Sequence, residues 1–324
     1  MSSVALEQGF DFHPLLEKVE QRLQTAVVAH NRIVGGLASR VIKAGGKRLR
    51  PLLVILFGWR GDEDWDPVID VAAATELLHT ASLIHDDIID HADTRRGVST
   101  LNAERGNHTA VMTGDYLFAR SLSILSQEST IRAIPFMVEA MEAMCEGIIE
   151  EINTLYDHTV SEEDYLSRID KKTASLVAAC CGAGATIRGA SQEEADACTA
   201  FGRNLGMCFQ IIDDLLDFTS DEETLGKPTG SDFSQGILTL PVIYLLEHSG
   251  WREPIKKILE KRSCTSDDLS FVAEAADKTK SIQRAYRKAR EFQEKAGECL
   301  SFIPTTPVHP ILYRLTELTM TRKK

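Results

Sequence analysis

The chain has few aromatic residues and few prolines. Aromatic side chains make up 6% of its 324 residues, and its 10 prolines are scarce within the long apolar stretches. Ala, Leu, Glu and Lys are plentiful and recur with a helical period from end to end. This pattern predicts an all-α protein. The length allows either one large domain or two ordinary ones.

Long apolar runs and signal-like segments are also missing. No stretch reaches the ~18 uninterrupted apolar residues of a membrane span, and the N-terminal segment has no apolar core of the signal-peptide type. The formal net charge of −12 at pH 7 disfavours nucleic-acid binding across the surface as a whole. We therefore expect a cytoplasmic protein with no transmembrane segment and no nucleic-acid partner.

The cysteines form no CxxC pair. Their odd number, within helical patterns, argues against a disulfide framework. Cys180 and Cys181 lie among alanines and glycines, which is typical of close helix packing rather than of redox chemistry. We interpret the seven cysteines as small buried hydrophobic residues, at positions 145, 180, 181, 198, 208, 264 and 299.

Two short segments of one pattern interrupt the apolar stretches. They read DDIID at 86–90 and DDLLD at 213–217. At about 100° per residue, the first and third aspartate of each segment share one helical face, with the second slightly to the side. The flanking residues are apolar almost all round the helix, which is typical of helices in a protein interior. The sequence therefore predicts two compact carboxylate clusters on buried helices.

Such carboxylate clusters need a cation nearby, because burial disfavours each charge and the charges repel one another. No Cys or His accompanies either segment at ligand spacing, which favours a hard, oxygen-seeking ion. Mg²⁺ usually takes one or two carboxylates and completes its shell with phosphate oxygens. The pattern predicts a Mg²⁺-bridged phosphate or diphosphate. For one isolated segment, a solvated acidic turn would be an equally good explanation.

Short breakers rich in glycine, proline and polar residues separate the predicted helices. None of them resembles a flexible linker between domains. We therefore predict a single domain over residues 1–324, in which the two acidic helices face each other across a cavity. The predicted helical segments are 14–43, 48–60, 67–90, 107–126, 131–156, 162–188, 192–220, 237–248, 267–300 and 308–320.

Basic residues cluster in the loops beside the acidic helices. A diphosphate held only by Mg²⁺ would keep unsatisfied oxygens, and arginine forks and lysine ammonium groups supply the missing donors. Loops at helix ends are ordinarily rich in such residues, so each site alone is better explained as a solvated charge, and it is their shared position near the acidic segments that favours phosphate binding. The clustered residues are Lys47, Arg48, Arg50, Arg95, Arg96 and Lys227.

An ordered set of motifs resembles the trans-isoprenyl diphosphate synthases of the polyprenyl synthetase family. The motifs frame about 200 residues, and the ends of the chain beyond them resemble nothing sharply. They are GGKRLRP at 45–51, HTASLIHDDIID at 79–90, DTRRG at 93–97, GD at 114–115, KT at 172–173, FQIIDDLLD at 209–217, GKPTGSD at 226–232 and TLP at 239–241.

The resemblance implies the isoprenoid synthase fold, a bundle of about ten core helices around a deep central cavity, usually assembled as a homodimer. It implies a prenyltransferase that condenses isopentenyl diphosphate head to tail with an allylic diphosphate, giving a trans-polyprenyl diphosphate. Three Mg²⁺ ions are implied at the mouth of the cavity. Two would be bound by Asp86 and Asp90, with Asp87 supporting, and the third by Asp213, with Asp214 and Asp217 in its shell.

The family pattern also implies roles for the basic and polar residues. The allylic diphosphate would be gripped by Arg95, Lys172 and Lys227. Isopentenyl diphosphate would be held by Lys47, Arg50, His79 and Arg96. Gln210 and Thr173 would lie near the reacting carbons, and Asp232 would support the second metal site. Catalysis itself would rest on Lys172, Thr173, Gln210 and Lys227, with Gln210 also binding substrate.

The length of the product depends, in the family, on the residues just before the first acidic segment, where bulky aromatics give short products. Here these residues are Ala81 and Ser82, about one helical turn before Asp86. Their small size implies a product longer than geranylgeranyl, for which a quinone side chain is the expected use. Close helix packing would also explain two small residues, and a farnesyl or geranylgeranyl product stays an alternative.

Two positions depart from the family pattern. Many relatives carry a second lysine where this chain has Ile237, and many carry glutamine where it has Glu151. One phosphate contact is therefore missing or replaced, and the charge of Glu151 is expected to retune contact with the allylic substrate. Neither change touches the aspartates.

Three rival interpretations remain. A class I terpene cyclase shares the fold, but its second metal motif usually mixes Asn or Asp with Ser or Thr and Glu. A non-catalytic partner subunit would be expected to lose an aspartate or a basic residue, and both acidic segments here are intact. A helical regulator that binds metal or phosphate without turnover can be separated from an enzyme only by assay.

Overall fold

The helices predicted from periodicity form, and the all-α prediction is confirmed. The computed structural model describes residues 10–29, 31–61, 64–95, 97–219 and 230–322. The chain divides into a first unit of residues 1–138, 180–198 and 305–311 and a second unit of residues 139–179, 199–304 and 312–324. The single domain over residues 1–324 stays a prediction.

The first unit contains the helix that carries the first acidic segment. A hairpin of β1 (Thr94–Arg95) and β2 (Val98–Ser99) follows that helix; the strands are antiparallel, with Thr94 opposite Ser99. The helices that lie wholly in this unit are α1 (His13–Ala26), α2 (Arg32–Lys43), α3 (Leu49–Phe57), α4 (Asp66–Ile89), α5 (Leu101–Arg105) and α6 (Asn107–Leu125).

Every regular element that the structure describes in the second unit is helical. The helices α7 (Ile134–Asn153), α9 (Ser175–Ile187), α10 (Gln192–Thr219) and α16 (His309–Met320) contribute residues to both units. A π-helical turn, Asp170–Ala174, precedes α9. Lying wholly in the second unit are α8 (Glu162–Ile169), α11 (Ser231–Ser234), α12 (Leu240–Leu246), α13 (Ser249–Glu260), α14 (Ser266–Lys278) and α15 (Ser281–Cys299).

Some predicted boundaries are wrong. The segment predicted at 14–43 is two helices, because the side chain of Asn31 caps α2 by accepting the backbone N–H of Ile33 at 2.9 Å. The segment predicted at 267–300 is divided at Lys280, which adopts a left-handed φ of 60°. No segment was predicted for α5, α11 or α13, since the first two are too short to show a period and α13 contains Pro254.

The long helix α4 is held tightly in the first unit, where it packs against α1, α3 and α6. At Gly114 of α6, an added Cβ would lie only 2.3 Å from Nε2 of His85, so a side chain there would collide with the ring. Seven residues further along α6, Ser121 Oγ donates to the carbonyl of Ala74 at 2.8 Å. This close packing gives the acidic end of α4 a rigid support.

By length and composition, α4 could cross a membrane, and among the described residues it alone passes that test. In this structure 72% of its apolar window is buried inside the protein. Burial against other helices is typical of a core helix. The apolar character of α4 is therefore explained by its packing within the first unit.

In the second unit, α10 carries the other acidic segment into an apolar core. Residues Ile211, Ile212 and Leu215 of α10 are at most 1% exposed. Every residue of α12 is buried, and this helix packs against α15. The carboxylates at the end of α10 thus emerge from one of the most apolar parts of the unit.

The cysteines are all free, and the interpretation of them as buried hydrophobic residues holds for only some. Cys180, Cys181, Cys198 and Cys208 are buried, Cys264 and Cys299 are partly exposed, and Cys145 is exposed. Burial raises the pKa of the Cys180 thiol to about 12, so this thiol is kept neutral. For Cys145 the interpretation is wrong, because it lies on the solvent side of α7.

Candidate active site

The first acidic segment occupies the C-terminal end of α4. Asp86 is half-buried and Asp87 is buried. The exposed Asp90 caps the helix, and its backbone N–H donates to the carbonyl of Asp86 at 2.8 Å. The last carbonyls of a helix carry partial negative charge, and the last turn of α4 contains no basic residue. Three carboxylates at such an end create a site that attracts cations.

Arg95 ties the hairpin to this segment. Its Nε donates to Oδ1 of Asp87 at 2.5 Å. Burial raises the pKa of Asp87, and the Arg95 guanidinium acts in the opposite direction. Asp87 is therefore engaged by Arg95 of the hairpin. Asp86 and Asp90 stand one helical turn apart on α4. The neighbouring Arg96 lies outside the described residues.

Arg48 and Arg50, two residues apart, have different surroundings. Nη1 of Arg50 lies 3.1 Å from Nε2 of His79 in the middle of α4, so two predicted substrate contacts are brought together. Arg48 instead donates to Oε1 of Glu76 at 2.7 Å and also contacts Glu20. Arg48 thus stabilises the fold as the partner of two carboxylates, while Arg50 and His79 form the candidate diphosphate contact.

The second acidic segment also lies toward the C-terminal end of its helix, and it ends two residues before the last residue of α10. Asp214 and Asp217 are 6% and 3% exposed, and Asp213 is half-buried. No basic residue lies in the last turn of α10. Oδ2 of Asp217 accepts the backbone N–H of Asp232 at 3.1 Å, and Oδ1 of Asp213 lies 3.2 Å from Nη1 of Arg322. Two buried carboxylates and a half-buried third thus lie in the last two turns of α10.

Asp214 is the centre of a hydrogen-bonded chain within the second unit. The Tyr165 hydroxyl donates to its Oδ2 at 2.6 Å, and Nε2 of Gln210 donates to its Oδ1 at 2.7 Å. Thr173 Oγ1 in turn donates to Oε1 of Gln210 at 2.7 Å. Burial and the charge of Asp232 raise the pKa of Asp214, and the hydrogen bonds from Tyr165 and Gln210 act in the opposite direction. Two residues predicted to lie near the reacting carbons, Thr173 and Gln210, are therefore in contact.

The π-helical turn presents Lys172 and Thr173. In this turn the backbone N–H of Ser175 donates to the carbonyl of Asp170, five residues back, so the turn is wider than in an α-helix. The Lys172 ammonium contacts the carboxylate of Glu151 on α7. Gly147 of α7 lets the two segments approach, because a Cβ there would lie 2.8 Å from the backbone nitrogen of Lys172.

The two small residues before the first acidic segment differ in position. Ala81 is fully buried, whereas Ser82 is half-buried, with its Oγ donating to the carbonyl of His79 at 2.8 Å. Ser82 lies four residues before Asp86 and shares its helical face; Ala81, five residues before, is turned away from it. Of the two, Ser82 is the better placed to meet a chain growing from a diphosphate at Asp86.

The donors at the two helix ends fit a hard divalent cation. Among the described residues, no three Asp, Glu, His or Cys side chains converge closely enough to hold a metal ion by themselves. Mg²⁺ does not require such a cage, since it usually binds one or two carboxylates together with phosphate oxygens and water. Half-buried Asp86 and Asp213, with carboxylate oxygens at negative helix ends, match that mode of binding.

Several residues important to the site are missing from the sequence prediction. Tyr165 could have been found from the sequence, since it lies two helical turns before Lys172 on the same predicted helix and so shares its face. Arg322 could not have been found in this way, because only folding brings it close to Asp213. Lys47 is exposed, and Lys227 lies outside the described residues.

The two departures from the family pattern have clear surroundings. Glu151 contacts Lys172 and lies 3.9 Å from Nε of Arg168. Ile237 is half-buried, and its backbone N–H donates to the carbonyl of Asp232 at 2.9 Å. Ile237 therefore closes the turn after α11, and its side chain supplies no phosphate donor.

Known proteins resemble this chain over nearly its whole length. The model of the polyprenyl synthetase family matches residues 31–276. Component 2 of the heptaprenyl diphosphate synthase of Geobacillus stearothermophilus is 39% identical over 297 residues, which are 92% of this chain and 92% of that protein. The octaprenyl diphosphate synthase of Haemophilus influenzae is 31% identical over 318 residues, 95% of this chain and 94% of that protein.

Solved structures share the fold. A decaprenyl diphosphate synthase from Rhodobacter capsulatus matches with a TM-score of 0.90 and 29% identity, over 100% of this chain and 99% of that one. The heptaprenyl diphosphate synthase from Staphylococcus aureus matches with a TM-score of 0.88 and 31% identity, over 97% of this chain and 99% of that one. The prediction of the isoprenoid synthase fold is confirmed. The chain therefore belongs to the polyprenyl synthetase family and is a prenyl transferase.

Proposed function

We propose that this prenyl transferase condenses isopentenyl diphosphate head to tail (1′-4) with an allylic diphosphate, in a Mg²⁺-dependent reaction. The observation that carries the proposal is the pair of carboxylate triplets toward the ends of two apolar helices, with Arg95 in contact with Asp87 and Arg322 in contact with Asp213. The product is a trans-polyprenyl diphosphate longer than geranylgeranyl. Relatives named for heptaprenyl and octaprenyl products support this length.

The wider setting belongs to the same proposal. The enzyme works in the cytoplasm as a homodimer, with three Mg²⁺ ions per active site, and its product becomes a quinone side chain. No nucleic acid or transmembrane segment takes part. The location, the assembly, the number of ions and the use of the product are all inferred from the family resemblance of the motifs.

The charged residues divide between the two substrates. Mg²⁺, when bound by Asp86, Asp90 and Asp213, stabilises the negative charge of the diphosphate leaving group. Asp87, Asp214, Asp217 and Asp232 support these ligands. The allylic diphosphate is bound by Arg95, Lys172 and Lys227, and isopentenyl diphosphate by Lys47, Arg50, His79 and Arg96.

The chemistry needs no protein nucleophile. The allylic C–O bond breaks, its electron pair leaves with diphosphate, and an allylic cation remains. The terminal double bond of isopentenyl diphosphate attacks C1 of that cation and joins the two molecules. An oxygen of the departed diphosphate then removes a proton from C2 of the isopentenyl unit. The Gln210 amide oxygen, the Thr173 hydroxyl and nearby helix carbonyls direct partial negative charge toward the cation. His85 serves packing instead, since its ring lies against Gly114.

A second candidate function is supported by the names of two relatives. The proteins of Geobacillus stearothermophilus and Bacillus subtilis are each called component 2 of a heptaprenyl diphosphate synthase. The present chain could accordingly be one part of a synthase with two different components. Both acidic segments are intact here, so in that case this chain is the component that carries out the chemistry.

The test of both candidates is one assay. The purified full-length chain is incubated with Mg²⁺, labelled isopentenyl diphosphate and either farnesyl or geranylgeranyl diphosphate, and product length is read by reversed-phase chromatography. We expect products longer than geranylgeranyl, lost when a chelator removes Mg²⁺. Elongation only after addition of a second protein would favour the two-component synthase. Absence of elongation with every primer and partner tested would contradict the proposal.

Replacing Glu151 with glutamine is expected to strengthen binding of the allylic substrate. Lys172 must contact both Glu151 and the incoming diphosphate, and the carboxylate of Glu151 also repels that diphosphate. Its side chain is 14% exposed, so the charge is only partly screened. Glutamine keeps the shape and removes the charge. We expect the KM for the allylic diphosphate to fall by roughly threefold to fivefold, since such an ion pair is worth up to about 1 kcal/mol.

The matched control is Glu150→Gln. Glu150 is the next residue of α7 and pairs in the same way with Lys171, the neighbour of Lys172. This change removes an equal charge without touching Lys172, so KM should stay within about twofold. If Glu151→Gln raised KM, Glu151 would instead be an essential support of Lys172.

A further inference from the structure

The fully buried hydroxyl of Tyr165 has no part in the mechanism above. Tyr165 is 0% exposed and belongs to the apolar core of the second unit. Its ring packs near the guanidinium of Arg168, whose Cζ lies 5.6 Å from the ring centroid, and Arg168 is itself anchored on the carbonyl of Leu238 at 2.7 Å. The ring is thus fixed in place, with its hydroxyl 2.6 Å from Oδ2 of Asp214.

This contact decides how the Gln210 amide is turned. Both oxygens of the Asp214 carboxyl group act as hydrogen-bond acceptors here. Asp214 accepts the Tyr165 hydroxyl on one oxygen and the NH₂ group of Gln210 on the other, at 2.7 Å. The amide oxygen of Gln210 must then face the opposite way, where the Thr173 hydroxyl donates to it at 2.7 Å. A turned amide would present its NH₂ group, with partial positive charge, in place of that oxygen.

The direction of the amide matters for a reaction that passes through a cation. An oxygen near C1 of the allylic group stabilises developing positive charge, whereas an NH₂ group opposes it. Fixing the amide before the reaction also avoids the cost of reorienting it during the reaction. Only the hydroxyl of Tyr165 is involved, since phenylalanine would keep the packing of the ring.

We propose that Tyr165 is a positioning residue for prenyl transfer, which acts through Asp214 to hold the Gln210 amide oxygen toward Thr173 and the reacting carbons. This inference rests on the proposed function. It assigns Asp214 to the orientation of Gln210, alongside the metal ligation that Asp213 provides. Tyr165 itself touches neither substrate.

The test is a double-mutant cycle in the full-length enzyme. Tyr165→Phe is expected to lower kcat about tenfold, because a buried hydrogen bond to the Asp214 carboxyl group is lost. The KM values for both diphosphates and the Mg²⁺ concentration for half-maximal rate should stay within about twofold. Affinity for an unreactive allylic thiolodiphosphate should be equally unchanged, since the ground state is not affected. In a Gln210→Leu background, Tyr165→Phe should cost nothing further.

Tyr244→Phe is the matched control. Tyr244 is a second buried tyrosine of the same apolar core, and removal of its hydroxyl should change kcat by less than about twofold. Should Tyr165→Phe not fold, Asp214→Asn poses the same question, with the same non-additivity expected against Gln210→Leu.

Three results would overturn the inference. The first is an equal loss from Tyr165→Phe with and without Gln210, and the second is a Tyr165→Phe enzyme as active as Tyr244→Phe. The third is a raised Mg²⁺ requirement for Asp214→Asn with additive loss, which would make Asp214 a metal ligand only. A wild-type protein that elongates no primer would instead overturn the proposed function, so the two failures are distinguishable.

Discussion

Replacement of Asp86 by asparagine is expected to lower kcat about a thousandfold while the protein stays folded. The amide keeps the size of the side chain but loses the charge that would hold a cation at the end of α4. Metal stabilisation of a leaving group contributes several kcal/mol, and about 4 kcal/mol corresponds to a factor of roughly 10³ in rate. The measurement is the steady-state rate with labelled isopentenyl diphosphate over a series of Mg²⁺ concentrations.

Stability should move in the opposite direction to activity. Without Mg²⁺, the carboxylates at the end of α4 repel one another and oppose the negative end of the helix. Removing one of them is therefore expected to stabilise the fold by about 0.3–1 kcal/mol, which thermal unfolding in a chelator can detect. A variant that lost activity because of misfolding would show a lower Tm instead.

Asp66→Asn is the control on the same helix. Asp66 is exposed in the first turn of α4, where a negative charge is favourable. Its replacement should leave kcat within about twofold and lower stability slightly. An Asp86→Asn enzyme as active as this control would remove the first acidic segment from the mechanism.

Replacement of Ser82 by phenylalanine is expected to shorten the product to geranylgeranyl length or less. Ser82 is half-buried and lies about 6 Å, one helical turn, before Asp86 on the same face of α4. A prenyl chain that grows along this face from a diphosphate at Asp86 would meet the aromatic ring. Elongation then stops because the next unit has no space, while the first condensations proceed. Chromatography of the products gives the answer directly.

Two control variants test whether the added volume at residue 82, rather than the lost hydrogen bond or a loss of stability, shortens the product. Ser82→Ala removes the hydrogen bond to the His79 carbonyl without adding volume, so product length should stay unchanged. Ala81→Phe adds the same ring at a fully buried position, where overpacking costs about 1–3 kcal/mol. Its main effect should be on stability. Unaltered products from Ser82→Phe would show that the chain grows along a different path.

The acidic segments could be predicted from the sequence because their signal is local. An i, i+1, i+4 set of aspartates in an apolar helix implies a cation wherever the helix packs. Arg48 and Arg50 show where such reasoning ends. Both belong to one basic motif, yet Arg48 is engaged by Glu20 and Glu76, each 28 residues away. That pairing depends on how α1, α3 and α4 pack, which no local pattern contains.

The contact between Tyr165 and Asp214 also depends on how helices pack rather than on a local pattern. It joins residues 49 positions apart, and a buried tyrosine in an apolar stretch is ordinarily interpreted as core. The periodicity of apolar residues was enough to predict where most helices form. Where each helix begins and ends depended on single side chains and backbone angles. The cap at Asn31 and the left-handed Lys280 divided helices whose apolar period continues across the break.

The π-helical turn at Asp170–Ala174 makes this stretch unusually sensitive to chain length. It contains one residue more than an α-helical turn would need. A single-residue deletion there would convert it to a regular helix with the flanking turns still in register, so the loss would fall on the side chains that the wide turn itself presents. Lys172 and Thr173 could not then both keep their neighbours. When homologues are aligned, a one-residue gap at this point should therefore mark loss of catalysis, even where every functional side chain is still present.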